Sequence, residues 1–369
     1  MLLQKSMLKY IFLLFFASAI ISGCYARSDN DEAANDSETV HEEQNQNQQI
    51  RRTWLYIDPL GERLTLNTFP AQRDFSHVSK FSNLEEVYFH AANIDKIDFS
   101  PFFGLEKLRT IDITCYDDSF VEFPDLSGVK NLKSLEILGA SIQSFQNIRK
   151  KLPDIEYLRF GAKDYWGIEI SDLDTISEIP SLKRLDMNIG SNLTIRLSDF
   201  HGLKNLEHFQ TYIRGTIDFV GAENLISLKY FDARSSSLLN VQYLSNITTL
   251  EAVHLRIDES TKNLDFLSNL VNLRSLTLDN KVYTWSSGPL EAIRDHQLEI
   301  DVSPLKNLLQ LKSLSFCGFV IKNIVALAEL PVLDVIYVYD TFILPDNSVR
   351  ELSRVNGESI WVDHFVSDR

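Results

Sequence analysis

Three cysteines, eight histidines and a set of tyrosines and arginines recurring every 22 to 27 residues are the places where this chain could do chemistry. Catalysis finds no foothold. There is no G-x-S-x-G elbow, no H-E-x-x-H pair and no glycine-rich phosphate loop, and the histidines and cysteines do not cluster at metal-ligand spacing. No enzymatic activity, cofactor or metal is therefore expected. What remains is recognition. Tyr157, Arg184, His208 and Tyr230 form one recurring series, Arg159, Asp186, Gln210, Asp232 and His254 a second, and Asn188, Tyr212, Arg234 and Arg256 a third. Tyrosine and arginine combine large contact area with directional hydrogen bonds, and interface hot spots are enriched in them. The candidate binding residues are Tyr157, Arg159, Arg184, His208, Tyr212, Tyr230, Arg234, His254 and Arg256, provided that one surface presents them all.

The elements that would present them are legible as a repeat. "NLEEVYF", "KLRTIDI", "NLKSLEI" and eight later segments share one pattern: apolar, two polar, apolar, one polar, apolar. The leading apolar residues, here called anchors, are Leu84, Leu108, Leu132, Ile155, Leu182, Leu206, Leu228, Leu250, Leu273, Leu311 and Leu333. Their steps are 24, 24, 23, 27, 24, 22, 22, 23, 38 and 22 residues. A period in this range signals a solenoid, and L-x-x-L-x-L is the strand half of a leucine-rich repeat. Residues three, six and nine before each anchor are also apolar in ten of the eleven units, as in Leu264, Leu267 and Leu270 before Leu273. The unit at Ile155 departs, with Gln146 and Arg149. A three-residue step drifts around an α-helix but holds one face of a 3₁₀ turn. The expected fold is an α/β repeat: a solenoid of about eleven repeats with a parallel concave sheet and a convex side of 3₁₀ turns and loops. The candidate series lie two, four and six residues after the anchors and would face outward from that sheet.

Across residues 75–343 this pattern resembles the short-repeat, internalin-like leucine-rich repeat proteins of bacteria. The resemblance implies a binding scaffold. One feature departs from it. Family members place asparagine eight residues after the anchor, where it ladders with neighbouring backbone; here those positions run Ala92, Tyr116, Ala140, Lys163, Gly190, Arg214, Ser236, Asp258, Lys281, Phe319 and Thr341. The backbone groups there must find other partners.

A solenoid needs capped ends. "TWLYIDPLGERLTLN" within residues 51–74 reads as a hairpin that would close one end, and residues 344–369, with "SIWVDHF", would close the other. Two units carry extra residues after the strand. One insertion contains Trp166, and the longer one, over 279–301, contains Trp285; both tryptophans join the binding candidates because repeat insertions collect along one edge. The longer insertion is either a binding loop or a degenerate repeat whose strand is "LEIDV" at 298–302. Cys115 and Cys317 fall at solvent-side positions eight strands apart, on the order of 38 Å, so they cannot bridge each other.

The third cysteine reads differently. Lys5 and Lys9 precede an apolar run from Tyr10 to Ile21, too short to span a bilayer and laid out like a signal peptide. Ile21-Ser22-Gly23-Cys24 resembles the lipobox of bacterial lipoproteins, which implies a signal peptide over 1–23 and lipidation of Cys24. The alternative is an ordinary signal peptide cut near Ala26. Residues 25–50 hold seven acids against one arginine and read as a disordered tether with a reach on the order of 25–30 Å. The net charge of −15 disfavours nucleic acid as a partner. The expectation is a lipid-anchored envelope protein, outer membrane or cell surface favoured because Tyr25 rather than Asp follows Cys24, that binds a protein or glycan through its concave face. A structural or self-assembling envelope protein is the alternative.

Overall fold

The three-residue apolar step becomes a chain of 3₁₀ hydrogen bonds, each apolar residue donating its N–H to the carbonyl of the one before. Leu270 N bonds Leu267 O at 3.0 Å and Leu273 N bonds Leu270 O at 2.9 Å; Phe81, Leu84, Ile247 and Leu250 repeat the arrangement. In the computed structural model, the residues described are 55–57, 62–68, 75–91, 97–115, 120–139, 141–152, 154–161, 172–189, 192–280, 298–339 and 341–343. They lie in one unit, Arg51–Arg369.

Thirteen strands form one sheet whose order is chain order. β1 (Leu55–Ile57) and β2 (Arg63–Thr68) make an antiparallel hairpin, and every later strand adds in parallel. These are β3 (Glu86–Ala91), β4 (Thr110–Cys115), β5 (Ser134–Leu138), β6 (Tyr157–Gly161), β7 (Arg184–Ile189), β8 (His208–Ile213), β9 (Tyr230–Arg234), β10 (Ala252–Ile257), β11 (Ser275–Asn280), β12 (Ser313–Cys317) and β13 (Val335–Tyr339). Each of β3 to β13 follows one anchor. The other side carries short 3₁₀ helices such as Leu173–Glu178, Val241–Asn246 and Leu264–Leu267, so the fold is the expected solenoid. Anchors, strand leucines and phenylalanines fill a continuous core, in which Phe209 packs between Phe200 and Phe231 at 5.3 and 5.7 Å.

The irregular unit at Ile155 has a physical solution. Its convex element is a single α-turn, Ile148–Lys151, closed by Leu152 N to Ile148 O at 2.9 Å. The four-residue bond replaces one three-residue step, so Phe145, Ile148 and Leu152 are the buried set while Gln146 and Arg149 stay outside it.

One expectation needs correction. Cys115 and Cys317 are buried, 1% and 3% exposed: Cys115 closes the inward row of its strand, whereas Cys317 keeps the outward parity of its register partners Asp279 and Tyr339 and is covered there. "LEIDV" does supply a strand, Leu298–Asp301, but it adds no concave repeat. That strand joins Phe319–Lys322 and Phe342–Ile343 in a separate small sheet, and β11 pairs directly with β12. The same small strands precede anchors elsewhere, at Thr194–Arg196, Thr216–Asp218 and Ser237–Leu239, so Leu298–Asp301 belongs to the ordinary unit of Leu311.

The asparagine ladder is displaced rather than lost. Asn131, Asn205 and Asn272, each one residue before an anchor, donate to the carbonyls of Glu106, Pro180 and Thr248 in the preceding repeat at 2.8 to 2.9 Å. Ser181, Ser227 and Thr249 hydroxyls serve the same turn in other units, each at 2.7 Å. A second column stands ten residues before the anchors: Asp98, Asp218, Asn263 and Asp301 each accept from the N–H two residues on. Asn240 then donates to Asp218 and Asn323 to Asp301, both at 2.9 Å, tying successive repeats. Replacing Asp218 by alanine removes a turn cap and an inter-repeat bond together. A loss of about 1 kcal/mol is expected, read as a lower urea midpoint at unchanged slope.

Candidate functional site

Strand alternation sends the residues two, four and six after each anchor to the concave face, and parallel register aligns them in columns. Tyr157, Arg184, His208, Tyr230 and Ala252 are successive register partners. So are Arg159 and Asp186, Asp232 and His254, and Tyr212 and Arg234. All nine strand-borne candidates thus share one surface over β6 to β10. Trp166, Trp285 and Cys24 lie outside the described residues.

The candidates are not a row of loose side chains. The first column is a stack of planar groups: the Arg184 guanidinium sits 5.0 Å from the Tyr157 ring centre, and His208 lies on Tyr230 at 4.0 Å with 11° between planes. Asp186 supports it from the middle column. Its carboxylate takes Arg184 Nη2 at 2.7 Å and Nε at 3.0 Å, and accepts from the Tyr157 hydroxyl at 3.1 Å. Burial, then the Asp186 charge, pushes the Tyr157 hydroxyl well above the usual phenol range, so it stays a donor. His208 Nε2 is 3.8 Å from Asp186, too far for a hydrogen bond to an oxygen already taken. Burial and the Arg184 charge hold the His208 imidazole down at about 4, neutral at pH 7.

Asp232 organises the other half. It is 1% exposed, yet its carboxylate is held well below the usual range: burial opposes the charge, and His254 with Arg234 outweighs burial. Arg234 binds it through Nε at 3.1 Å and Nη2 at 2.9 Å. His254 stands between two carboxylates, Nδ1 at 3.5 Å from Asp232 and Nε2 at 2.8 Å from Asp279. Only the imidazolium donates from both nitrogens. Burial lowers the His254 pKa, but the two aspartates win and raise it to about 9. Farther along, Arg159 reaches Glu136 at 3.3 Å, and burial with the Glu136 charge raises Asp112.

Sequence reasoning placed Asp186 and Asp232 in their column without seeing that they hold the surface, and it passed over Asp279. The available signal was the spacing Arg184-x-Asp186 and Asp232-x-Arg234, two residues apart on one strand face and hence side by side. A shallow depression of ≈ 350 Å³ runs along Glu207, Lys229, Glu251 and Arg274. Those residues belong to a ladder of exposed ion pairs along the sheet edge, Lys183–Glu156, Lys229–Glu207 and Arg274–Glu251, each contributing little. The polar, pre-arranged surface is the concave one. It is broad rather than enclosed, which suits a macromolecule better than a small ligand.

This architecture has known counterparts. An internalin of Listeria monocytogenes superposes with a TM-score of 0.53 over 83% of this chain and 87% of its own, at 17% identity. The fold is an internalin-like leucine-rich-repeat solenoid. Among curated proteins, the leucine-rich repeat-containing G-protein coupled receptor 5 of Homo sapiens is 30% identical over 121 residues, 32% of this chain and 13% of the receptor. Its Rattus norvegicus counterpart is 27% identical over 164 residues, 44% of this chain and 16% of the receptor. The solenoid thus spans only a small part of the length of these relatives. No protein-family model matches the chain.

Proposed function

We propose that the solenoid is a bacterial lipid-anchored binding protein that recognises a protein, or a glycan, through the concave face of β6 to β10. The observation that carries this reading is the pre-ordered polar surface itself. Arg184, His208, Tyr230, Arg234 and His254 are locked by Asp186, Asp232, Asp279 and one another, so little side-chain freedom remains to be lost on binding. Arg159 and Tyr212 stand at the margins of these networks and are the better probes of binding, because Arg234 is tied to the fold through Asp232. Tyr212→Ala and Arg159→Ala are each expected to weaken capture of the partner from host or self extracts by roughly tenfold. Unchanged capture by both would remove the concave face from contention.

Support for the anchor is the Lys5, Lys9, apolar run and Ile21-Ser22-Gly23-Cys24 sequence, followed by the acidic tether. Cys24 would carry the lipid, with the outer membrane or cell surface the favoured site. Metabolic labelling with a palmitate analogue should mark the wild type and not Cys24→Ser. A structural, self-assembling role has one observation in its favour. Ile226, Val271 and Leu309, each two residues before an anchor, are exposed apolar side chains, 59%, 51% and 52% accessible, with Thr248 holding the same position between the first two. Sedimentation at rising concentration separates the two readings, a constant monomer excluding self-assembly.

A further inference from the structure

We infer that Arg256 and Arg234, at one end of the concave face, form a carboxylate-binding site. Ala233 and Leu255 are register partners, so the residues that follow them, Arg234 and Arg256, stand at one level on neighbouring strands roughly 4.8 Å apart. Like charges so placed repel; Asp232 pairs Arg234 directly, whereas Asp279 acts on Arg256 through its charge without a direct pair. Arg234 spends Nε and Nη2 on Asp232, leaving Nη1. Among the described residues, Arg256 has no carboxylate within salt-bridge distance, whereas Arg159, Arg184 and Arg234 on the same face each have one. Its register partner is Asp279, whose Oδ2 is taken by His254 at 2.8 Å. The Arg256 guanidinium rests over Tyr212 at 5.6 Å, and its Nε is enclosed without a hydrogen-bond partner among the described residues. The terminal nitrogens are left at the surface.

Charge points the same way. Over the outward columns of β6 to β11, Arg159, Arg184, Arg234, His254 and Arg256 are set against Asp186, Asp232 and Asp279, and with the Glu136 that pairs Arg159 from β5 the excess is one positive charge on a chain of net −15. A solvated face on an acidic protein has no intrinsic need of such an island. The geometry selects among anions: two guanidinium edges at one level suit a planar group with two oxygens, the fork that arginine offers to carboxylates. A partner's acidic side chain or C-terminus would supply it, so the proposal rests on the concave-face reading.

The test uses no partner. In ¹⁵N-labelled protein at pH 7, arginine Nε–H resonances are followed during titration with sodium acetate, succinate, sulfate or chloride at constant ionic strength. The Arg256 signal, assigned by its loss in Arg256→Gln, is expected to shift saturably with both carboxylates and not with chloride. Arg256→Lys, which keeps charge but not the fork, is expected to bind them at least about fivefold more weakly. Shifts that match those with chloride, or carboxylate affinity unchanged in Arg256→Lys, would overturn the site. Tighter binding of sulfate than of either carboxylate would overturn the ligand class. The wild-type comparison of acetate with chloride decides the matter even where a variant folds poorly. Failure here leaves concave-face recognition standing; unchanged capture by Tyr212→Ala and Arg159→Ala would remove the partner assigned to the site, while the anion titration is read without one.

Discussion

Asp232→Ala is expected to destabilise the solenoid by about 3–5 kcal/mol, the range for breaking a buried ion network by removing one partner. The reason is what the substitution leaves behind. Asp232 neutralises Arg234 and shares His254 with Asp279; its own carboxylate is enclosed, and its partners' side chains are only 16 to 24% exposed. Without it, a guanidinium and an imidazolium face each other across one lost carboxylate. Part of the cost is recovered if His254 gives up its proton, so the variant's His254 pKa should fall from about 9 towards the free value. Asp232→Asn keeps the shape and loses only the charge, and should fall between wild type and alanine. Urea denaturation measures the cost, and a loss below about 1 kcal/mol for Asp232→Ala would mean that solvent reaches the cluster.

Stability should also pass through a maximum near pH 6.5, because the two histidines of the face are perturbed in opposite directions. His254 is raised to about 9 from an unfolded value of about 6.5, so the folded state holds the extra proton between them. That contribution is complete below about pH 6.5 and is lost as pH rises through about 9. His208 is lowered to about 4, so the unfolded state binds the extra proton below about 6.5. Its contribution is present above that value and is lost as pH falls through about 4. Asp232 stays ionised throughout, being held well below the usual carboxylate range. Each limb is expected to be on the order of 1–3 kcal/mol. Denaturation free energies at pH 4.5, 6.5 and 9 test the shape, and His254→Gln should flatten the alkaline limb alone. A stability profile flat from pH 6.5 to 9 would show that His254 is not an imidazolium in the fold.

Much of the scaffold follows from spacing. A core residue every third position can only point inward along a 3₁₀ turn, and apolar residues at alternate positions can only do so along a strand, so Leu264, Leu267, Leu270, Leu273, Leu276 and Leu278 specify one repeat locally. Where a four-residue bond replaces a three-residue one, at Ile148–Leu152, the three-residue spacing lapses although the turn is kept, because periodicity reports steps and not which hydrogen bond makes them. The asparagine ladder is absent from the family's position and served at two others, since any side chain within reach of an orphan carbonyl or of a turn-capping carboxylate can tie neighbouring repeats.

The sequence by itself determined which side chains share the concave face, because a parallel register set by a period of 22 to 27 residues leaves the columns no freedom. Only the tertiary structure decided what those side chains are. Whether His208 is neutral and His254 charged depends on carboxylates one strand away, at 3.8 Å in one case and 2.8 Å in the other. Whether Arg234 is committed to the fold and Arg256 left to a ligand depends on which strand contributes the nearest aspartate. Protonation and pairing at short range vary steeply with distance and burial, and a chain read in one dimension carries neither.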